Sequence, residues 1–211
     1  MTFNARRSMR VCAGLLTVTL LGGCASGLRS DVPAVVTYRL QAAAPSLGET
    51  PIKASLRVDR AVAGPGYATD RILVLRDDRQ LDYYSASRWP ATLPEIVSAL
   101  AVESLRGGGG LAAVHDDSAP FTSDYLLVIG VRRFEAETGN GGLQVRVLLD
   151  CTVGRRKDRG VIAAFTAEGT AAVGEERMSA VIAAFEQATQ QAMSMLTSST
   201  LAAVKSDTID Q

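Results

Sequence analysis

The sequence predicts an α+β fold: a mostly antiparallel sheet with two helices packed on one face, preceded by a cleaved lipoprotein signal peptide. Three observations carry this. The 211-residue chain holds three long strand candidates, Asp124 to Glu137, Leu143 to Gly154 and Val161 to Val173, joined by connectors short enough for an antiparallel meander. Two other segments, after Thr92 and from Ser179, repeat their apolar residues at helical spacing. The order is strands, helix, strands, helix, the order of an α+β sandwich. A chain of this length has room for one well-packed domain, with at most a tail.

The N-terminus is read first. Arg6, Arg7 and Arg10 form a positive region ahead of the apolar run Val11 to Leu21, which is about half of the ~20 residues a bilayer span needs. The run ends in Leu21-Gly22-Gly23-Cys24, a branched aliphatic residue, two small residues and a cysteine, similar to the bacterial lipobox. Residues 1–23 are therefore expected to be a lipoprotein signal peptide. Cys24 is the expected lipidation site, its thiol taking a diacylglycerol and its freed amine a further acyl chain, palmitate among the candidates. Each buried CH₂ contributes about 0.8 kcal/mol, so several chains on one cysteine anchor a domain where a single chain binds only marginally. Ala25 follows, where an aspartate often signals inner-membrane retention, and resemblance to enterobacterial sorting implies the outer membrane.

Charge and cysteine usage narrow the classes further. The 22 basic and 22 acidic residues balance, but three of the basic ones precede Gly23 and no acidic residue does. The mature chain is thus mildly acidic and lacks the electrostatic footprint of a nucleic-acid binder. Cys12 leaves with the signal and Cys24 carries lipid, so Cys151 has no partner for an intrachain disulfide. It lies in the alternating run Leu143, Val145, Val147, Leu149, Cys151, Val153, and is expected on the apolar face of a strand.

The mature chain divides as follows. Residues 24–34 are a small, polar tether, 35–198 the folded domain, and 199–211 a polar tail expected to fray. Val35 to Leu40 is a first strand, and Ile52 to Val58 alternates as a half-buried one. Gly64-Pro65-Gly66 breaks the chain. Arg71 to Leu75 and Leu81 to Tyr84 flank a hairpin turn. Thr92 and Glu95 have capping-box spacing with Pro94 in the first turn, and Leu93, Ile96, Val97, Leu100 and Leu105 make one apolar stripe. Gly107 to Gly110 ends that helix. Leu126 to Ile129 is apolar on both faces and predicts a central strand under a helix. The last helix, from Ser179 to Leu196, is expected to bury Val181, Ala184, Phe185, Ala188, Ala192, Met195 and Leu196.

Catalytic chemistry is hard to assemble from these residues. The one histidine, His115, lies beside Asp116 and Asp117 but lacks the further ligands a transition metal needs. No serine sits in a G-x-S-x-G elbow, and no Gly-Lys-Ser/Thr follows Gly107 to Gly110. Asp77-Asp78 and Glu175-Glu176 fall in turns. A protein without catalysis, cofactor or metal is expected. Tyr83, Tyr84 and Trp89 are expected to pack around the entry of the first helix, with an interaction surface as the alternative. Met178, Met193 and Met195 are expected to fill the core.

The order of short motifs resembles the ABC-type transport auxiliary lipoprotein family. After the lipobox come Thr37-Tyr38-Arg39-Leu40, Leu56-Arg57-Val58, Gly64-Pro65-Gly66-Tyr67, Arg71-Ile72, Leu81-Asp82-Tyr83-Tyr84 and Arg88-Trp89. Tyr125-Leu126-Leu127, Phe134-Glu135 and an Ala-rich closing helix follow. Pro90 directly after the tryptophan and the run Gly107 to Gly110 depart from the pattern. The resemblance implies a non-catalytic periplasmic component of an Mce-type lipid transport system, anchored at the outer membrane and facing the periplasm. Its implied partners are an Mce-domain protein and the inner-membrane ABC transporter. A homo-oligomer would suit a symmetric tunnel. A lipid-binding shuttle and an outer-membrane assembly lipoprotein are the alternatives, and a small hydrolase working through His115 is a distant one.

Overall fold

The computed structural model describes residues 34–42, 50–76, 79–139, 142–175 and 177–209. The signal segment, Cys24, the tether up to Pro33, residues 43–49 of the loop after the first strand, Asp77-Asp78, Asn140-Gly141 and Glu176 lie outside the described residues. Among the described residues, nine strands and two helices follow in chain order: β1 (Val36–Thr37), β2 (Ile52–Val58), β3 (Val62–Ala63), β4 (Arg71–Arg76), β5 (Gln80–Arg88), α1 (Leu93–Gly107), β6 (Leu111–His115), β7 (Tyr125–Gly139), β8 (Gly142–Arg155), β9 (Val161–Ala172) and α2 (Met178–Ile209).

The fifteen-residue β7 is the hub of one mixed sheet. Along one edge it pairs over its whole length with β8, which in turn pairs with β9, both antiparallel. Along its other edge it meets three shorter strands in succession, all parallel to it: β2 at Tyr125–Leu127, β3 at Gly130–Val131 and β4 at Ala136–Glu137. Beyond β2 lies β6, parallel; beyond β4 lie β5, antiparallel, and then β1, parallel to β5. The long ladders are the antiparallel ones, so the sheet is mostly antiparallel by extent, as the meander signals predict.

Side-chain parity decides which face carries the core. Leu127, Ile129 and Val131 of β7 stand opposite Val153, Cys151 and Leu149 of β8, and all six are buried. A β-bulge at Arg132 then inserts one extra residue, so the buried set changes parity and continues with Phe134 and Ala136 against Val147 and Val145. Cys151 occupies the core as its alternation predicts.

Both helices cover this face. α1 begins as its sequence requires: the Glu95 carboxylate accepts hydrogen bonds from the Thr92 backbone N–H at 3.1 Å and from the Thr92 hydroxyl at 2.9 Å. Leu93, Val97, Leu100 and Leu105 are buried, with Ile96 half-buried. α2 lies across β9 and β8 and touches α1. Its small residues let it come close. Ala184, Ala188 and Ala192 are buried, and a Cβ built at Gly169 of β9 would lie 2.0 Å from the Ala188 carbonyl oxygen.

Several expectations are corrected. β1 spans Val36–Thr37 rather than Val35 to Leu40. Residues 199–209 are helix rather than a fraying tail: α2 runs to Ile209, because Thr200 and Val204 extend the buried line of Leu196 at four-residue spacing. Met195 is exposed, and Met193 takes its place, since it lies three residues before Leu196 on the same stripe. Val128 is exposed too: β7 is central, but only one of its faces lies under a helix. Among the described residues no helix is long and apolar enough to cross a membrane.

Candidate functional site

The three aromatic residues singled out in the sequence do not form one surface. Tyr83 and Tyr84 are neighbours on a strand, so their side chains leave opposite faces of the sheet. Tyr83 is about half exposed, and the Arg71 guanidinium lies 4.6 Å from its ring centroid. Tyr84 is half-buried and packs against the core. Trp89 is core itself, 2% exposed, with its ring edge-on to Phe185 at 5.3 Å and to Phe134 at 6.3 Å. The hydrogen bond from its backbone N–H to the Asp70 carbonyl ties the entry of α1 to the turn before β4. Packing around the helix entry is thus the correct reading for Trp89, and of the three only Tyr83 offers a ring to solvent.

His115 ends β6 half-buried, with its ring 5.6 Å from that of Phe121. Among the described residues no set of three His, Cys, Asp or Glu side chains is placed to hold a metal. Cys151 lies far from solvent, and burial pushes its thiol up to about 12.

Parity before the bulge hides a charged cluster that the sequence analysis did not identify. Beyond Arg132, the side chains of Arg133, Glu135 and Glu137 take the face of β7 opposite Phe134. Glu135 is fully buried; the Arg133 Nε lies 2.6 Å from its Oε1, and the Phe134 N–H donates to its Oε2 at 2.7 Å. Arg133 also bonds Glu137, which accepts from the Gln144 amide at 3.2 Å. Tyr67 closes the cluster from the loop after β3. Its hydroxyl is pushed up to about 12, chiefly by burial and then by the charge of Glu135. The loop is set by Gly64-Pro65-Gly66-Tyr67, whose Gly66 has φ +89° and whose Tyr67 N–H returns to the Gly64 carbonyl at 3.1 Å, as in a type II turn. Arg133 bridges the two carboxylates, with Arg146 3.9 Å from Glu137, so the cluster fixes the loop on the sheet.

A groove of about 860 Å³ runs between α1, the end of β2 and the loop after β6. Val58, Ala99 and Val102 supply apolar wall. The ion pairs Arg60–Glu95 and Arg106–Asp116, the latter at 3.7 Å, flank it. The groove is thus partly apolar and rimmed by paired charges.

Comparison with known proteins gives a consistent picture. The family model for ABC-type transport auxiliary lipoprotein components matches residues 38–195. A crystal structure of a Xanthomonas campestris protein of the DUF330 family superposes with TM-score 0.76 at 25% identity, covering 82% of this chain and 99% of that one. A second crystal structure, of an uncharacterized protein, shares the fold at TM-score 0.62 and 14% identity, covering 79% of this chain and 98% of that one. No curated protein matches the sequence. With three quarters of its length matched from β2 through most of α2, the chain belongs to the family of ABC-type transport auxiliary lipoprotein components.

Proposed function

We propose that this protein is a non-catalytic auxiliary component of an Mce-type lipid transport system, anchored at the outer membrane through a lipidated Cys24 and facing the periplasm. The observation that carries the reading is the family match over residues 38–195. The lipobox Leu21-Gly22-Gly23-Cys24 supports the anchor, and Ala25 supports outer-membrane sorting. The folded domain docks an Mce-domain protein whose tunnel leads to the inner-membrane ABC transporter. A homo-oligomer belongs to this reading, since a symmetric tunnel is met by a symmetric set of copies.

The test is co-purification from gently solubilised native membranes, with mass spectrometry of the eluate. An Mce-domain protein or its ABC ATPase in the eluate is the expected result. Phospholipid eluting with the protein, and no protein partner, would instead favour a lipid-binding shuttle. A barrel protein as the stable partner would favour outer-membrane assembly.

A further inference from the structure

One end of the sheet gathers the start of β2, the start of β7, the β8–β9 turn and the last turn of α2. A cavity of about 480 Å³ opens there, lined by Lys53, Arg155, Arg156 and Lys157 together with Ser123 and Asp124. Two of these charges are committed elsewhere. Arg155 pairs with Asp207 at 2.5 Å and with Asp158 at 3.1 Å. Asp124 accepts from the Ser55 N–H at 2.8 Å and from its hydroxyl at 2.6 Å. Lys53, Arg156 and Lys157 form no ion pair with any described residue. The negative end of α2 and Asp207 also face this region, with Arg155 set against them, and among the described residues three cations at the cavity mouth have no ion-pair partner. Ser123 is nine-tenths buried, and its Oγ has no hydrogen-bond partner.

The same end carries exposed apolar tips. Phe121, next to the cavity, is 62% exposed; Val161, across the β8–β9 turn from Lys157, is 66% exposed; Ile209, at the end of α2, is 75% exposed. Single exposed hydrophobic residues are ordinary. Here three of them stand among unpaired cations at one end of the molecule. The Phe121 segment is also held in shape, because the Arg57 guanidinium donates to the carbonyls of Asp117, Ala119 and Phe121 at 3.1, 2.8 and 2.6 Å.

Cations interleaved with aromatic and aliphatic tips match the boundary of an anionic bilayer, where ammonium and guanidinium groups meet phosphate oxygens and apolar groups enter the acyl edge. We propose that this end of the domain binds the phosphate-bearing headgroups of anionic lipid, with Lys53, Arg156 and Lys157 taking phosphate oxygens and Phe121, Val161 and Ile209 contacting the acyl boundary. The proposal is independent of the tunnel partner.

The test uses the full lipoprotein purified from membranes and reconstituted into two kinds of vesicle, phosphatidylcholine alone and phosphatidylcholine mixed with phosphatidylglycerol. Amide hydrogen exchange is followed at residues 121–124 and 155–161. Exchange should slow in the phosphatidylglycerol vesicles by about fivefold or more, the factor for one basic residue held at an anionic surface. Inorganic phosphate added to the phosphatidylcholine vesicles should not reproduce it. The variant Lys53→Ala/Arg156→Ala/Lys157→Ala should lose the slowing while β7–β9 core amides exchange as before, which shows it folded. Equal protection by inorganic phosphate would reduce the site to a simple anion pocket and overturn the lipid assignment. No difference between the vesicles, or a difference the variant retains, would overturn the proposal.

Discussion

Trp89 shows how a residue just ahead of a helix start becomes a centre of the core. Its ring fills the junction between Phe134 of β7 and Phe185 of α2, and those two rings stack with centroids 5.5 Å apart. Trp89→Ala removes a ring that touches both and leaves a cavity, so it should cost about 3–5 kcal/mol in denaturant unfolding. Tyr83→Ala, on the solvent side, should stay within about 0.5 kcal/mol of the wild type in the same measurement. Cys151 supplies a second check. Its thiol is raised to about 12 by burial, while an unfolded cysteine ionises near ~8.5. Between those values the unfolded chain has released the proton and the folded chain has not. This contribution is therefore fully present below about 8.5 and is lost as pH rises toward about 12. Native protein at neutral pH should leave Cys151 unlabelled by a thiol reagent that modifies it readily in denaturant. Replacement by Ala should flatten the alkaline part of the stability profile.

At the scale of elements, two contacts set how the helices sit. Gly169 lets the α2 backbone touch β9, and a Cβ there would collide with backbone rather than with a side chain that can rotate away. Gly169→Ala should therefore destabilise by about 1–3 kcal/mol, the cost typical of overpacking. Thr92→Ala removes the hydroxyl that Glu95 accepts from, at about 1 kcal/mol by thermal unfolding. The Thr92 hydroxyl and N–H, followed by the Arg60 charge, hold the Glu95 carboxyl below its usual range. The contribution of Glu95 is thus present above the normal glutamate range and is lost as pH falls through its depressed value, and Glu95→Gln should remove that pH dependence. The start of α1 was legible because capping chemistry lies within four residues, and Cys151 because alternation is local. The end of α2 was missed because Thr200 stands in the buried stripe where an apolar residue would have shown it. The Arg132 bulge left no local sign, and so the burial of Glu135 could not be read. The parallel docking of β2, β3 and β4 along β7 is set by partners distant in sequence, which no periodicity reports.

At the scale of the whole molecule, the open question is what holds the domain at a membrane. A single acyl chain gives marginal, reversible binding, whereas several chains on one cysteine make it effectively permanent. The proposed headgroup contacts of Lys53, Arg156 and Lys157 would add orientation rather than anchorage, since each basic residue near an anionic surface contributes only about 1 kcal/mol. The two contributions are therefore separable. Cells grown with labelled palmitate should incorporate label into the wild-type protein and none into Cys24→Ala. The Lys53→Ala/Arg156→Ala/Lys157→Ala variant should be labelled and pelleted with membranes like the wild type. Loss of membrane association in the basic-residue variant with acylation intact would mean that the folded domain, rather than Cys24, does the anchoring. Label persisting in Cys24→Ala would place the acylated residue elsewhere in the chain.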